Sequence, residues 1–174
     1  MMKNNTATKK LTVAALFMAL NIALSSFGVP VPGGHFYLCD AAICTAAILL
    51  DPFYAFMVGG VGSFLGDFFF YPAPMFVSLV THGIQAAVIS LFANRLFAGK
   101  PKTGAVTGVI AGAFIMVTGY SLGRAFIYST AEYAVIKLPY EILQASVGAV
   151  AGVVLCYPCG LHRLYTKLMN EQLS

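Results

Sequence analysis

Apolar residues occupy long blocks along this chain, separated by short polar or proline-bearing seams. Six blocks stand out: Leu11 to Phe27, Leu38 to Leu50, Phe53 to Phe70, Phe76 to Phe97, Thr103 to Tyr128 and Leu138 to Leu164. Crossing a hydrocarbon core of about 30 Å takes about 20 helical residues at ~1.5 Å each, and the blocks fit that length with varying comfort. The second is short, so it is expected to borrow residues from the preceding loop or to sit inside the bundle without crossing fully. Asp51-Pro52 separates the second block from the third, because proline disfavours helical conformation in the residue before it. Tyr71-Pro-Ala-Pro74 ends the third block and Ala98-Gly-Lys-Pro-Lys102 the fourth. Pro139 stands at the expected start of the sixth, a position that proline suits.

Composition turns these blocks into membrane spans. Of 174 residues, 59% are hydrophobic and 9% charged, against about 25% charged in an ordinary soluble domain. A soluble protein of this size keeps much of its surface in water, so the excess apolar surface is expected to face lipid. Lys9-Lys10 followed by Leu11 to Phe27 resembles the opening of a signal peptide. No small-x-small cleavage site follows cleanly, and the segment is read as the first span.

The net charge of +4 matters less than where the charges fall, and it does not point to a nucleic-acid partner. If all six blocks cross, one side holds Lys3, Lys9, Lys10, Arg95, Lys100, Lys102, Arg163 and Lys167. The other holds only Arg124 and Lys137. The positive-inside bias then places both termini in the cytoplasm. The expected product is an all-α integral membrane bundle of six transmembrane helices. It comprises a cytoplasmic tail over residues 1–10, a membrane domain over 11–164 and a second cytoplasmic tail over 165–174. The outer connections are Gly28 to Tyr37, Tyr71 to Pro74 and roughly Ser129 to Lys137.

Small residues recur regularly. Gly104, Gly108 and Gly112 mark the fifth block, Gly148 and Gly152 the sixth, and Gly59, Gly62, Ser63 and Gly66 the third. Such stripes let helix backbones approach closely in lipid, where packing drives association. Ala15, Ala19 and Ala23 form a further smooth stripe on the first block, beside the cytoplasmic lysines, and are the candidate surface for a partner protein. Gly60-x-Gly62-x-x-x-Gly66 is no dinucleotide loop, since no strand precedes it.

Ionisable groups at membrane depth are costly, and each is a functional candidate. Asp67 lies near the outer end of the third block, with His82, Ser78 and Gln85 on one face of the fourth. Tyr120, Arg124 and Tyr128 share a face of the fifth, Glu141 and Gln144 open the sixth, and His35 and Asp40 flank the second. Each has a structural reading as well. Glu141 can satisfy free amides at a helix start, Arg124 can pair with Glu141 or Asp67, Asp40 can cap a helix, and interfacial tyrosines can be belt anchors. Their joint concentration in the outer third is what those readings leave unexplained. The loop Val29-Pro-Val-Pro-Gly-Gly-His35 is stiff at its prolines and free at its glycines, which suits a hinged lid. The four cysteines lie in apolar stretches, and Cys156-Tyr-Pro-Cys159 alone is a weak metal signal, so no metal site is expected.

Gly34-His-Phe-Tyr-Leu-Cys-Asp40, then Asp51-Pro52, then Gly59-Gly60-x-Gly62-Ser63-x-x-x-Asp67 resembles the substrate-binding S components of energy-coupling factor (ECF) vitamin transporters. His82-Gly83, Gly119-Tyr120 with Tyr128, and Leu138-Pro139 with Gln144 and Gly148 extend the resemblance from about Leu11 to Leu155. It implies six helices, cytoplasmic termini, and an outward pocket beneath the first outer loop with ligand contacts from helices four to six. The implied binding set is His35, Tyr37, Asp67, His82, Gln85, Tyr120, Arg124, Tyr128, Glu141 and Gln144. It also implies docking through Ala15, Ala19 and Ala23 to a transmembrane coupling protein of the EcfT type. Two ATPase partners would use the ATP, in keeping with the lack of a Walker motif here. The location implied is the plasma membrane of a prokaryote. Within the resemblance, Cys39 replaces a usual glycine, Arg124 stands where relatives often carry an acid, and Glu141 where many carry asparagine. A pyridoxine- or pyrimidine-like vitamin is the substrate it suggests. A membrane-embedded enzyme would need a catalytic pairing, and a stand-alone carrier an inverted repeat or continuous polar path; the sequence offers neither clearly.

Overall fold

The computed structural model describes residues 2–170, with side chains from Thr6 onward. Met1, residues 171–174 and the side chain of Lys3, all assigned above to cytoplasmic tails, lie outside the described residues. Helix α1 covers Met2–Ser25, and a hairpin of β1 (Val29–Val31) and β2 (Gly34–Phe36) follows. Then come α2 (Cys39–Leu49), α3 (Pro52–Phe70), α4 (Met75–Leu96), α5 (Pro101–Tyr128), α6 (Ala131–Cys156) and α7 (Leu161–Asn170).

Five of these helices, α1 and α3 to α6, are long and apolar enough to cross a membrane. The second block behaves differently. Helix α2 has 11 residues, about 16 Å of rise, roughly half a hydrocarbon core. Every residue in it except Ala41 is buried. Its sequence explains this: Ala42, Ala46 and Ala47 with Cys44 and Thr45 give a thin rod with no polar face, and a helix apolar all round belongs inside. Of the six expected spans, five are therefore long helices, and the second is one short central helix.

The small-residue stripes are the seams of this packing. Gly148 and Gly152 of α6 face Asp40 and Cys44 of α2, while Gly104, Gly108 and Gly112 of α5 face Ala93, Ile89 and Gln85 of α4. Gly62 and Gly66 of α3 meet Asn21 and Ser25 of α1. Within α3 a π-helical turn, Met57–Val61, interrupts the regular ladder, as such bulges do. Asn21, wholly buried, serves the carbonyl of Val58 there, donating to it at 2.8 Å and to Ser63 Oγ at 3.1 Å.

Both described ends of the chain lie at one end of the bundle. Lys9 Nζ donates to the Leu168 carbonyl at 2.7 Å, Lys10 pairs with Asp51 at 3.0 Å, and Tyr157 OH donates to the Pro101 carbonyl at 2.8 Å. The hairpin closes the opposite end, where α3 joins α4 and α5 joins α6.

Three expectations need correction. The first outer loop is a two-stranded antiparallel hairpin with Val31 opposite Gly34, so the fold is not purely α-helical. Its turn has Pro32 followed by Gly33 at φ +80°, the type II arrangement that a Pro-Gly pair favours. The connection placed at Ser129 to Lys137 is mostly helix: α6 begins at Ala131, with the Thr130 hydroxyl accepting from Tyr133 N at 3.5 Å. Pro139 therefore lies inside α6 rather than at its start. Helix α6 stops at Cys156, the chain turns through Gly160 at φ +79°, and α7 runs across position 164.

Candidate functional site

Beneath the hairpin lies a cleft bounded by α3, α4, α5 and α6. Of the residues proposed from sequence, His35, Tyr37, Asp67, His82 and Tyr120 line it, as do Arg124, Tyr128, Glu141 and Gln144. Gln85 does not; it sits behind His82.

Two hydrogen-bonded systems organise the walls. On the α3–α4 side the Ser78 hydroxyl bridges Asp67 and the Tyr120 hydroxyl, placing a carboxylate, an alcohol and a phenol on one polar strip. The rings of Tyr120 and His82 lie beside this strip with centroids 5.1 Å apart. The second system starts at Asp40. The side chain of this candidate cap for α2 caps nothing; Gln85 Nε2 donates to one of its oxygens at 3.1 Å and Gln144 Nε2 to the other at 2.8 Å. Because the carboxylate only accepts, each glutamine must turn its amide nitrogen toward Asp40 and its oxygen away. Gln85 Oε1 then accepts from His82 Nδ1 at 2.6 Å. That places a proton on His82 Nδ1 and makes Gln85 a positioning residue. Gln144 Oε1 accepts from the backbone N–H of Tyr37 at 3.0 Å, so the same network reaches the lid.

The α5–α6 wall carries the charge. Arg124 Nη2 donates to Glu141 Oε1 at 3.0 Å, and Lys137 Nζ approaches the same oxygen at 3.5 Å. Arg124 opens a π-helical turn, Arg124–Tyr128, and its guanidinium lies 5.2 Å from the centroid of the Tyr128 ring, within cation–π range. Its Nη1 donates to the Gly33 carbonyl at 2.9 Å. The turn of the hairpin also rests on Lys137: a Cβ at position 33 would come within 3.0 Å of the Lys137 Cβ. Burial first, and the charge of Asp67 second, push the Tyr37 hydroxyl up to about 12, so it is a neutral donor at physiological pH.

Arg124 pairs with Glu141, one of the two partners considered from sequence. Lys137, expected at the end of the last outer connection, is one of the most deeply buried side chains, 1% exposed. Its four-residue spacing from Glu141, a helix-surface pair, was the signal that identifies it. Cys39, Asp40 and His82 bring donor atoms within 4.8 Å of one another. However, both Asp40 oxygens and His82 Nδ1 are already committed to the glutamines, so these residues act as a hydrogen-bond network before they act as a metal set. All four cysteines are free, Cys159 exposed and Cys156 buried.

Small free volume completes the description. The cleft has about 40 Å³ of open space. Ala15, Ala19 and Ala23, by contrast, sit exposed on the outer face of α1, away from the cleft.

Residues 5–159 match the family model of the ECF-type riboflavin transporter, S component. No curated protein matches the chain. The chain belongs to this S-component family, and is a multi-pass membrane protein that serves as the substrate-binding subunit of a vitamin transporter.

Proposed function

We propose that this subunit captures a small heteroaromatic vitamin from the outer side of the membrane, closing the β1–β2 hairpin over it. The observation that carries the reading is the convergence of buried polar side chains from four helices beneath a lid tied down by two of them, Arg124 and Gln144. Tyr37, Tyr120 and His82 supply ring faces, and Asp67, Arg124, Lys137 and Glu141 supply groups that fix its edges. A desolvated pocket needs few such groups to set orientation. The family's name makes riboflavin the first compound to test. The sequence resemblance adds a single ring of the pyridoxine or pyrimidine kind as the next.

In this reading the lysine-rich end, with Lys10, Arg95, Lys102 and Arg163, faces the cytoplasm with both termini. The alanine stripe of α1 docks a transmembrane coupling protein. Two ATPases, not this chain, use the ATP, and the chain itself performs no catalysis.

The test is a thermal-unfolding screen of the purified chain against riboflavin, pyridoxine and a hydroxymethylpyrimidine. One compound should raise the midpoint without being converted, and Asp67→Ala should abolish that rise. No stabilisation by any of them, or turnover of one, overturns the reading. Ala15→Trp and Ala19→Trp should retain ligand stabilisation while losing co-purification with the coupling protein. Retained partners would remove the docking assignment.

A further inference from the structure

Buried polar atoms ordinarily find partners, and each exception asks for a reason. Among the described residues five buried side-chain atoms lack one, and three of them belong to residues of this cleft: Arg124 Nε, Tyr128 OH and His35 Nδ1. The Arg124 side chain is only 9% exposed, so its free N–H has little access to water. Arg124 and Lys137 both lean on a single carboxylate oxygen of Glu141. Neither of the other acids near the cleft makes a direct contact with these two cations. Both Asp40 oxygens accept from glutamine amides, and Asp67, across the cleft on α3, accepts from Ser78.

Resting on the proposed capture function, we infer that the substrate carries an oxyanion, a carboxylate, phosphate or deprotonated ring hydroxyl, received by Arg124 Nε and Tyr128 OH with Lys137 as the second cation. The oxyanion gives Arg124 and Lys137 a second acceptor beside the one Glu141 oxygen they share. Asp67 then faces the solute's donor edge, so the molecule recognised is anionic at one edge and hydrogen-bond donating at the other. Glu141 sets the strength of this preference, because it competes with the substrate for the same two cations. Closure and charge are also linked: Arg124 holds the Gly33 carbonyl through Nη1 while Nε stays available, so one side chain can bind the oxyanion and the lid together.

Matched pairs differing in the oxyanion test this on the purified full-length chain. The pairs are nicotinate against nicotinamide, flavin mononucleotide against riboflavin, and pyridoxine against its ring O-methyl ether, with dissociation constants measured by calorimetry. For whichever ring binds, the anionic or ionisable member should bind about tenfold or more tightly, as a charge-assisted hydrogen bond implies. Lys137→Met leaves a neutral Arg124–Glu141 pair and should bring that ratio toward one. Glu141→Gln should widen it. These opposite signs separate a charge effect from a loss of folding, which lowers both affinities alike. A ring that binds with no anionic preference, or a ratio unmoved in both variants, overturns the inference and leaves the capture function standing. Failure of every compound to bind overturns both.

Discussion

Two ion pairs of the same length sit at opposite ends of this bundle. Lys10–Asp51 and Arg124–Glu141 each measure 3.0 Å, yet the first pair is about one-third exposed, whereas the second is under one-tenth exposed and shares its carboxylate with Lys137. Around the first, the bundle is sealed by Ile43, Ile48, Ile89, Ala105 and Val109, an interior with little to hydrogen-bond. Around the second, arginine, lysine, two carboxylates, a histidine and two glutamines are buried together, with the half-buried Asp67 beside them. Desolvating charge is expensive even when it is paired. A chain with only 9% charged residues that buries four of them in this half is spending stability on recognition there and recovering it in the other half.

The comparison breaks first at Glu141. Removing it in Glu141→Ala leaves Arg124 and Lys137 buried as two like charges without the carboxylate they both contact. A buried pair broken in this way costs about 3–5 kcal/mol, and the shared carboxylate puts this site at the upper part of that range. Thermal or denaturant unfolding in detergent should show a large loss, partly reversed when Lys137→Met is added. A loss no greater than that of an exposed pair would mean that water reaches the cluster freely.

Asp40→Asn should come next. The carboxylate accepts from two glutamine amides; an asparagine turns a donor toward one of them. Leaving one buried donor unmet costs about 1–3 kcal/mol. It also loosens Gln144 from the Tyr37 backbone, so ligand release should accelerate along with the fall in stability. Stopped-flow release measured beside equilibrium unfolding separates the two effects. Destabilisation with unchanged release would show that the lid does not depend on this network.

How much of this could be read from sequence follows the same division. The apolar half was legible, because its rules are one-dimensional: block length gave the five long helices, the short second block was recognised as anomalous, and the glycine stripes mark the seams they form. The lid was legible as Pro-Gly punctuation, though not as strands, since β pairing depends on Val29 and Phe36 meeting across the turn. At the polar half, residue types were visible but their assignments were not. Lys137 beside Pro139 reads as an interface and a helix start, and only the continuous run from Thr130 onward shows a helix passing through the proline. Asp40 resembles a cap because its real partners, Gln85 and Gln144, lie 45 and 104 residues away. The π-helical turn that places Arg124 over Tyr128 has no sequence signature at all.

The smallest effect belongs to the other ion pair, and it is the sharpest control. Lys10→Met removes a charge that is one-third exposed at the membrane edge, where water and salt already screen it. Exposed pairs contribute about 0.2–1 kcal/mol, and Asp51 keeps its place ahead of α3, where Pro52 sets the helix start. The variant should therefore unfold within about 1 kcal/mol of the parent, with a difference that shrinks as salt is raised past the screening length of about 8 Å at physiological ionic strength. Ligand affinity should not change. A double-mutant cycle, Lys10→Met with Asp51→Asn against Arg124→Met with Glu141→Gln, compares equal distances in unequal solvents. The outer cycle should give the larger coupling and little salt dependence. Equal couplings would mean that burial does not distinguish the two ends, and the concentration of polar groups beneath the hairpin would then lose its claim to be a binding site.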